Sequence, residues 1–203
     1  QKRMRGMLES RPDWCISRQR SWGLPIPAFL SPDGDVLLTE ATVRVVADFV
    51  REHGSDAWFT EEAPVILSQY DPSADDRAPE WVTEGGAATL ASLTKGSDIF
   101  DVWFESGSSW NAVMRERDIG YPCDLYLEGS DQHRGWFQAS LLPALGMTGS
   151  SPYREVLTHG FIVTAQGQTM SKSLGNAIDV EDLLKQHGAD ICRWWTASLN
   201  STY

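Results

Sequence analysis

Between Asp124 and Val163 the sequence reads as strand, helix, strand, and no other stretch limits the possible folds so tightly. Asp124 to Leu127 is a short apolar run that stops abruptly at Glu128-Gly129. A helical period follows from Arg134 to Gly146, with Phe137, Leu141 and Leu145 on one stripe and Pro143 expected to kink or shorten it. Val156 to Val163 is the next strand, interrupted by Thr158-His159-Gly160, and Ile99 to Phe104 reads as an earlier one. Strands alternating with helices predict an α/β fold with a parallel sheet.

The flanks carry clearer punctuation. Trp14 to Arg20 reads as extended, followed by the turn Trp22-Gly23-Leu24-Pro25. Ile26–Leu30 and Val36–Thr39 are apolar runs joined by Ser31-Pro32-Asp33-Gly34-Asp35, a hairpin signal. From Glu40 to His53, Val43, Val46, Ala47 and Val50 share a helical face, with Thr39 as N-cap and Gly54 as terminator. Residues 60–96 hold Pro64, Pro72, Pro79, Gly85 and Gly86 and no sustained period; at most short helices are expected there. Near the end, Val180–His187 is a helix capped by Asp179 and closed by Gly188, and Ala189–Leu199 is a second.

Charge and cysteine usage narrow the function classes. A net charge of −11 argues against a strong nucleic-acid grip by this chain alone, because phosphate contacts need clustered Lys and Arg. Cys15, Cys123 and Cys192 form no Cys-x-x-Cys pair, so neither a metal site nor a disulfide framework is expected, and a reducing cytoplasm suits the chain. No apolar run approaches the roughly 20 residues needed to span a bilayer. The basic opening Lys2-Arg3-Met4-Arg5 is not followed by a secretory apolar stretch, and the absence of an initiator Met makes a piece of a longer protein the expectation.

Two groups of residues can carry chemistry. In open α/β sheets, ligands bind beyond the carboxyl ends of strands. Leu125-Tyr126-Leu127-Glu128-Gly129-Ser130-Asp131-Gln132 suits that position: Gly129 admits a ligand to the backbone, and the acidic and amide side chains can accept from ribose hydroxyls or a substrate ammonium. The same residues also suit a plain strand end with Asp131 capping the next helix and Glu128 solvated. The second group is Gln168-Thr169-Met170-Ser171-Lys172-Ser173-Leu174-Gly175-Asn176, where hydroxyls, backbone N–H groups and one cation can hold a polyphosphate. It is not a P-loop, and many exposed loops look alike.

Motif order adds more. Thr169-Met170-Ser171-Lys172-Ser173 resembles the KMSKS signature of class I aminoacyl-tRNA synthetases, with Thr169 in place of the first Lys. Trp14-Cys15-Ile16-Ser17-Arg18-Gln19-Arg20 and Trp22-Gly23-Leu24-Pro25-Ile26-Pro27 resemble the segment that returns to the catalytic domain after the editing insertion. Asp101-Val102-Trp103-Phe104-Glu105-Ser106-Gly107-Ser108 is similar to the family's DVWFDSGS, with Glu105 replacing Asp. The stretch from Tyr126 to Phe137, through Asp131-Gln132-His133-Arg134-Gly135-Trp136, looks like the adenylate-binding stretch of the isoleucyl branch. Leu157-Thr158-His159-Gly160-Phe161 continues the match.

The resemblance implies the C-terminal half of a class I synthetase Rossmann-like nucleotide-binding domain, followed by the start of a helical region. It divides the chain into residues 1–30 returning to the catalytic domain, an insertion over 31–97, catalytic residues 98–178 with the KMSKS-like loop, and a stem-contact region over 179–203. It implies an aminoacyl-tRNA ligase using L-isoleucine, Mg²⁺-ATP and tRNA(Ile), monomeric and cytoplasmic, with no metal held by this segment. Lys172 would be catalytic, within an ATP loop of Thr169, Met170, Ser171, Lys172 and Ser173. Glu128, Gly129, Asp131, Gln132 and His159 would bind the aminoacyl-adenylate, and Trp103 and Trp136 would wall the isoleucine pocket or else serve as core. The family's HIGH motif has no counterpart among the isolated His53, His133, His159 and His187, so one side of an active site is expected, inactive alone. A valyl or leucyl enzyme and a non-catalytic adenylate-binding relative are the alternatives; the Thr169 and Glu105 departures permit the latter.

Overall fold

The computed structural model describes residues 2–164 and 166–199, with the side chains of Lys2, Arg3 and Lys172 outside that description. The chain forms two compact units, Gln1–Arg11 with Ser106–Tyr203, and Pro12–Glu105. Helix α1 (Lys2–Glu9) belongs to the first.

The second unit opens with β1 (Ser17–Arg18) and the expected hairpin of β2 (Phe29–Leu30) and β3 (Val36–Leu37), antiparallel with Phe29 opposite Leu37. Its turn closes because Ser31 Oγ accepts from the N–H groups of Asp33 and Asp35 and Gly34 takes φ +90°. Helix α2 (Glu40–His53) starts in a capping box between Thr39 and Thr42 and stops at Gly54, as its sequence predicts. Thr39 Oγ1 also donates to Asp75 Oδ2 at 2.6 Å, and Tyr70 donates to the same oxygen at 2.8 Å. That half-buried carboxylate ties the helix start to the irregular segment that follows.

Between Thr60 and Gly96 the chain is more ordered than its sequence predicts. After α3 (Ala57–Thr60) and α4 (Ala63–Ile66) comes α5 (Glu80–Ser92), a helix broken at Gly86, where φ is +53°. Gly85-Gly86 masks the helical period, and packing supplies what local propensity lacks: Val82 is fully buried, and Trp81 and Leu90 pack against the same core. That core gathers Phe29, Leu37, Trp58, Ile66, Leu67 and Val82, with the Phe29 and Trp58 rings 5.3 Å apart. Burying one such side chain stabilises by about 1.5–3 kcal/mol, which is how short elements of low propensity hold together.

Strand β4 (Thr94–Lys95) completes a three-stranded antiparallel sheet in the order β3-β2-β4. Strand β5 (Ile99–Phe100) pairs with β1, Ser17 opposite Phe100. The strand expected to run to Phe104 ends there. Asp101 accepts the Trp103 N–H at 3.0 Å on its side chain and the Phe104 N–H on its carbonyl, so α6 (Val102–Gly107) begins at once. A short apolar run does not distinguish strand from buried helix; the capping Asp decides.

The first unit carries the predicted alternation. Beyond a π-helical segment, Trp110–Arg115, β6 (Cys123–Gly129) leads through α7 (Trp136–Thr148) to β7 (Tyr153–His159), which lies parallel to β6. Strand β7 begins three residues before the apolar run at Val156 and ends at His159; Phe161 and Ile162 fall outside it, and Val163 makes only an isolated bridge to Thr169. Tyr126, Phe137 and Tyr153 form the core between strands and helix, sealed where Tyr153 donates to the Phe137 carbonyl at 3.2 Å. Helices α8 (Val180–His187) and α9 (Ala189–Ser198) follow, α8 capped by Asp179 and closed at Gly188 as expected.

Pro143 does not shorten α7. A proline inside a helix leaves the carbonyl four residues earlier, here Ala139, without its N–H partner. A Cβ on Gly107 would lie 2.1 Å from that Ala139 oxygen, so only glycine fits there. Gly107→Ala is therefore expected to destabilise the protein by about 1–3 kcal/mol, as overpacking does, measured as a lowered urea midpoint with an unchanged slope. A wild-type midpoint would show that Gly107 can move off α7 at no cost.

Candidate active site

The parallel register sets Glu128 opposite Thr158 and Gly129 opposite His159, so both strands deliver their carboxyl ends side by side. A tight turn, Ser130–His133, follows β6 directly. Gly129 is buried, and a Cβ there would lie 2.6 Å from Asp131 Oδ1 and 3.2 Å from the Phe161 ring. The glycine expected from sequence as an opening for a ligand is thus also demanded by close packing.

Around it the side chains are partly committed. Glu128 is exposed, with Oε2 accepting the Gly129 N–H at 3.1 Å. Asp131 is exposed and makes no capping bond, contrary to the plain strand-end reading. Gln132 holds the helix start instead: its Oε1 accepts the Trp136 N–H at 2.9 Å while its Nε2 donates to Asp131 Oδ2 at 3.1 Å. The His159 Nδ1 lies 2.7 Å from the Gly160 carbonyl. A carbonyl can only accept, so the Nδ1–H is the donor of that bond. Glu128, Gly129, Asp131, Gln132 and His159 are thereby gathered at one sheet end.

Trp136 is half-buried, its ring stacked on Tyr126 at 4.2 Å and 4°, its Nε1 donating to the Ser106 carbonyl at 3.0 Å. It borders an open cleft of about 550 Å³ lined also by Trp110, Met114, Leu125 and Leu127. Trp103 belongs to the second unit and is 42% exposed, which does not describe a core tryptophan. Each tryptophan is placed by its own unit.

The loop after β7 is built around one amide. Asn176 Oδ1 accepts the Ser171 N–H at 2.9 Å and its Nδ2 donates to the Thr169 carbonyl at 3.3 Å. Ser171 Oγ meets Ser173 Oγ at 3.1 Å and accepts the Leu174 N–H, starting a short helical turn over Lys172–Leu174. Thr169, Met170, Ser171 and Ser173 are so drawn into one compact turn. The Lys172 side chain lies outside the described residues. Asn176 stands inside the sequence pattern, but nothing in its spacing marks it as the clasp.

Sequence reasoning also passed over Asp101. Its carboxylate accepts from the Trp14 indole N–H at 3.0 Å and the Trp103 N–H, and pairs with Arg18. Burial pushes its pKa up, but those hydrogen bonds and the charges of Arg18 and Arg20 outweigh it and hold the group below its ordinary value. Glu105, the departure from the family's Asp, reaches the Leu24 N–H with Oε1 at 3.1 Å.

A parallel strand pair joined through a crossing helix and followed by a Ser-Lys-Ser loop makes this an α/β protein. The chain belongs to the family of class I tRNA synthetases (I, L, M and V), which matches it over residues 1–203. It is 47% identical over 199 residues to the isoleucine--tRNA ligases of Bacillus cereus (strain AH187) and Bacillus mycoides (strain KBAB4), covering 98% of this chain. The chain spans 20% of the length of those relatives. A crystal structure of the ternary complex of Agrobacterium radiobacter K84 agnB2 LeuRS-tRNA-LeuAMS shares the fold at a TM-score of 0.55 and 19% identity, over 88% of this chain and 23% of that one. Among the described residues no cluster of three His, Cys, Asp or Glu suits a metal ion, and no helix is long and apolar enough to cross a membrane.

Two outcomes follow from this geometry. Asn176→Ala removes bonds worth about 0.5–1.5 kcal/mol each, so hydrogen exchange at the Ser171 amide should rise about tenfold; an unchanged rate would mean the loop is held from elsewhere. A carboxylate whose folded pKa is depressed stabilises above its unfolded pKa and loses that contribution as pH falls through the folded value. Asp101→Asn should therefore flatten the acid side of the stability profile, below about pH 4, in urea melts taken from pH 7 to pH 3.

Proposed function

We propose that these residues form the adenylate-binding half of an isoleucine--tRNA ligase active site. The observation that carries the reading is the alignment of Glu128-Gly129 with Thr158-His159 at the ends of two parallel strands, in a chain 47% identical to isoleucine--tRNA ligases.

In this reading the isoleucine carboxylate attacks the α-phosphate of Mg²⁺-ATP, pyrophosphate leaves, and the acyl group passes to tRNA(Ile). Positioning and charge stabilisation dominate such a step. Glu128 and Asp131, both exposed at the sheet end, accept from ammonium or ribose hydroxyl groups; Gly129 lets the adenylate approach the backbone; His159 stands beside it at the end of β7. Gln132 acts by holding the start of α7, and with it Trp136, in place. Trp103 is proposed, on the motif that holds it, as a residue that walls the isoleucine side chain, and so is Trp136. Lys172 meets the charge developing on the leaving pyrophosphate, with Thr169, Met170, Ser171 and Ser173 shaping the loop around it.

Thr169 removes a cation that the family's signature would supply, so Lys172 carries more of that stabilisation. The reading extends to the domain plan, with residues 31–97 as an insertion and 179–203 as a stem-contact region, and to a monomeric cytoplasmic enzyme. An apolar pocket excludes leucine by shape but separates isoleucine from valine weakly, since one methylene is worth only about 1–3 kcal/mol.

The test is ATP–pyrophosphate exchange by a full-length synthetase containing these residues, with isoleucine, valine and leucine. Exchange should be strongest with isoleucine; strongest exchange with another amino acid would move the chain to a sister specificity, and none with any would favour a non-catalytic relative. Lys172→Ala should lower kcat by about 100–1,000-fold, the range for losing one preorganised charge-stabilising group, with the KM for isoleucine little changed. Comparable losses in both would contradict the role given to Lys172.

A further inference from the structure

Asp101 stands where β5 gives way to α6 and is only 5% exposed, yet it carries a charge. A buried charge is costly unless paired, so a helix cap alone does not account for it: Ser, Thr or Asn would cap as well. The two carboxylate oxygens do different things. Oδ1 accepts the Trp103 N–H at 3.0 Å and starts α6. Oδ2 reaches far along the chain, to the Trp14 indole N–H at 3.0 Å and to the Arg18 guanidinium.

Neighbouring contacts run the same way. The Asp101 N–H donates to the Ile16 carbonyl at 2.7 Å, the Trp14 ring lies 6.1 Å from Phe104, and Phe100 stacks on Phe104 at 4.8 Å. One turn further on, Glu105 holds the Leu24 N–H. The helix that bears Trp103 is thus tethered to residues 14–24 through its own acidic side chains. Trp103 itself projects from that tethered turn with 42% of its surface exposed.

We propose that Asp101 is a positioning residue for amino-acid recognition: by joining the Trp103 N–H to Trp14 and Arg18, its carboxylate fixes where the Trp103 ring stands. The proposal rests on the reading above in which Trp103 walls the isoleucine side chain. Substrate need not touch Asp101; its effect passes through Trp103, so altering it changes how well isoleucine is held and how well valine is refused, while the activation step proceeds.

The experiment uses the full-length synthetase in three forms: unsubstituted, Asp101→Asn and Trp14→Phe. Asn keeps an acceptor for the Trp103 N–H but turns a second donor toward Trp14 and Arg18; Phe keeps a ring against Phe104 and removes the indole donor. In ATP–pyrophosphate exchange, Asp101→Asn should raise the KM for isoleucine about tenfold, leave kcat within about twofold and lower the isoleucine-over-valine preference; Trp14→Phe should do the same to about threefold. In 5-fluorotryptophan-labelled enzyme, the Trp103 fluorine resonance, assigned with Trp103→Phe, should shift in both variants. A lowered kcat with unmoved KM and preference marks a merely structural residue and overturns the proposal, as does an unmoved Trp103 resonance. If Asp101→Asn does not fold, Trp14→Phe decides by the same criteria. Absence of isoleucine-dependent exchange in the unsubstituted enzyme would sink the functional reading, and the Trp103 resonance would still decide the positioning role.

Discussion

The parallel pairing of β6 with β7 is the constraint on which the candidate site depends. Because the strands point the same way, the chain must leave the sheet after Gly129, cross through α7 and return, and both strands then end on one edge. Every residue assigned to the adenylate sits at that edge or in the loop that leaves it. Antiparallel pairing would have sent Glu128 and His159 to opposite ends. The core of Tyr126, Phe137 and Tyr153 fixes the crossing helix on the strands, and Gly107 packs against the proline-freed Ala139 carbonyl of that helix. The core touches the candidate site directly, where the Tyr126 ring stacks on Trp136.

Much of this is legible in the residues. Helices α2 and α8 announce themselves because Thr39, Asp179 and their terminating glycines are local signals that need no tertiary partner. The hairpin at Ser31–Asp35 is legible for the same reason. What escapes is decided at a distance. Helix α5 has a weak period interrupted by Gly85-Gly86 and stands because Val82 is buried against residues from elsewhere in the unit. The start of α6 turns on one side chain, Asp101, whose other partners lie more than eighty positions earlier in the sequence.

The site divides along the same line. Glu128, Gly129 and Asp131 are readable because a strand end followed by glycine and carboxylates is a local pattern with a chemical meaning. That Gln132, and not Asp131, holds the helix start is a matter of side-chain reach. Asn176 looks like any loop residue until its two bonds across Thr169–Ser171 are seen. The two departures from the family pattern differ in kind. Glu105 has a partner that its extra methylene reaches, the Leu24 N–H. Thr169 leaves a loop with one cation fewer and its backbone clasped by an amide, an arrangement that favours shape over charge.

The most direct test of the central claim is a crystal structure of a full-length synthetase containing these residues with a non-hydrolysable isoleucyl-adenylate analogue. The account predicts the analogue across the ends of β6 and β7, its ribose and ammonium groups within hydrogen-bonding distance of Glu128, Asp131 or His159 and its backbone approach at Gly129. An analogue bound away from that edge, with these residues solvated as an ordinary strand end, would contradict it.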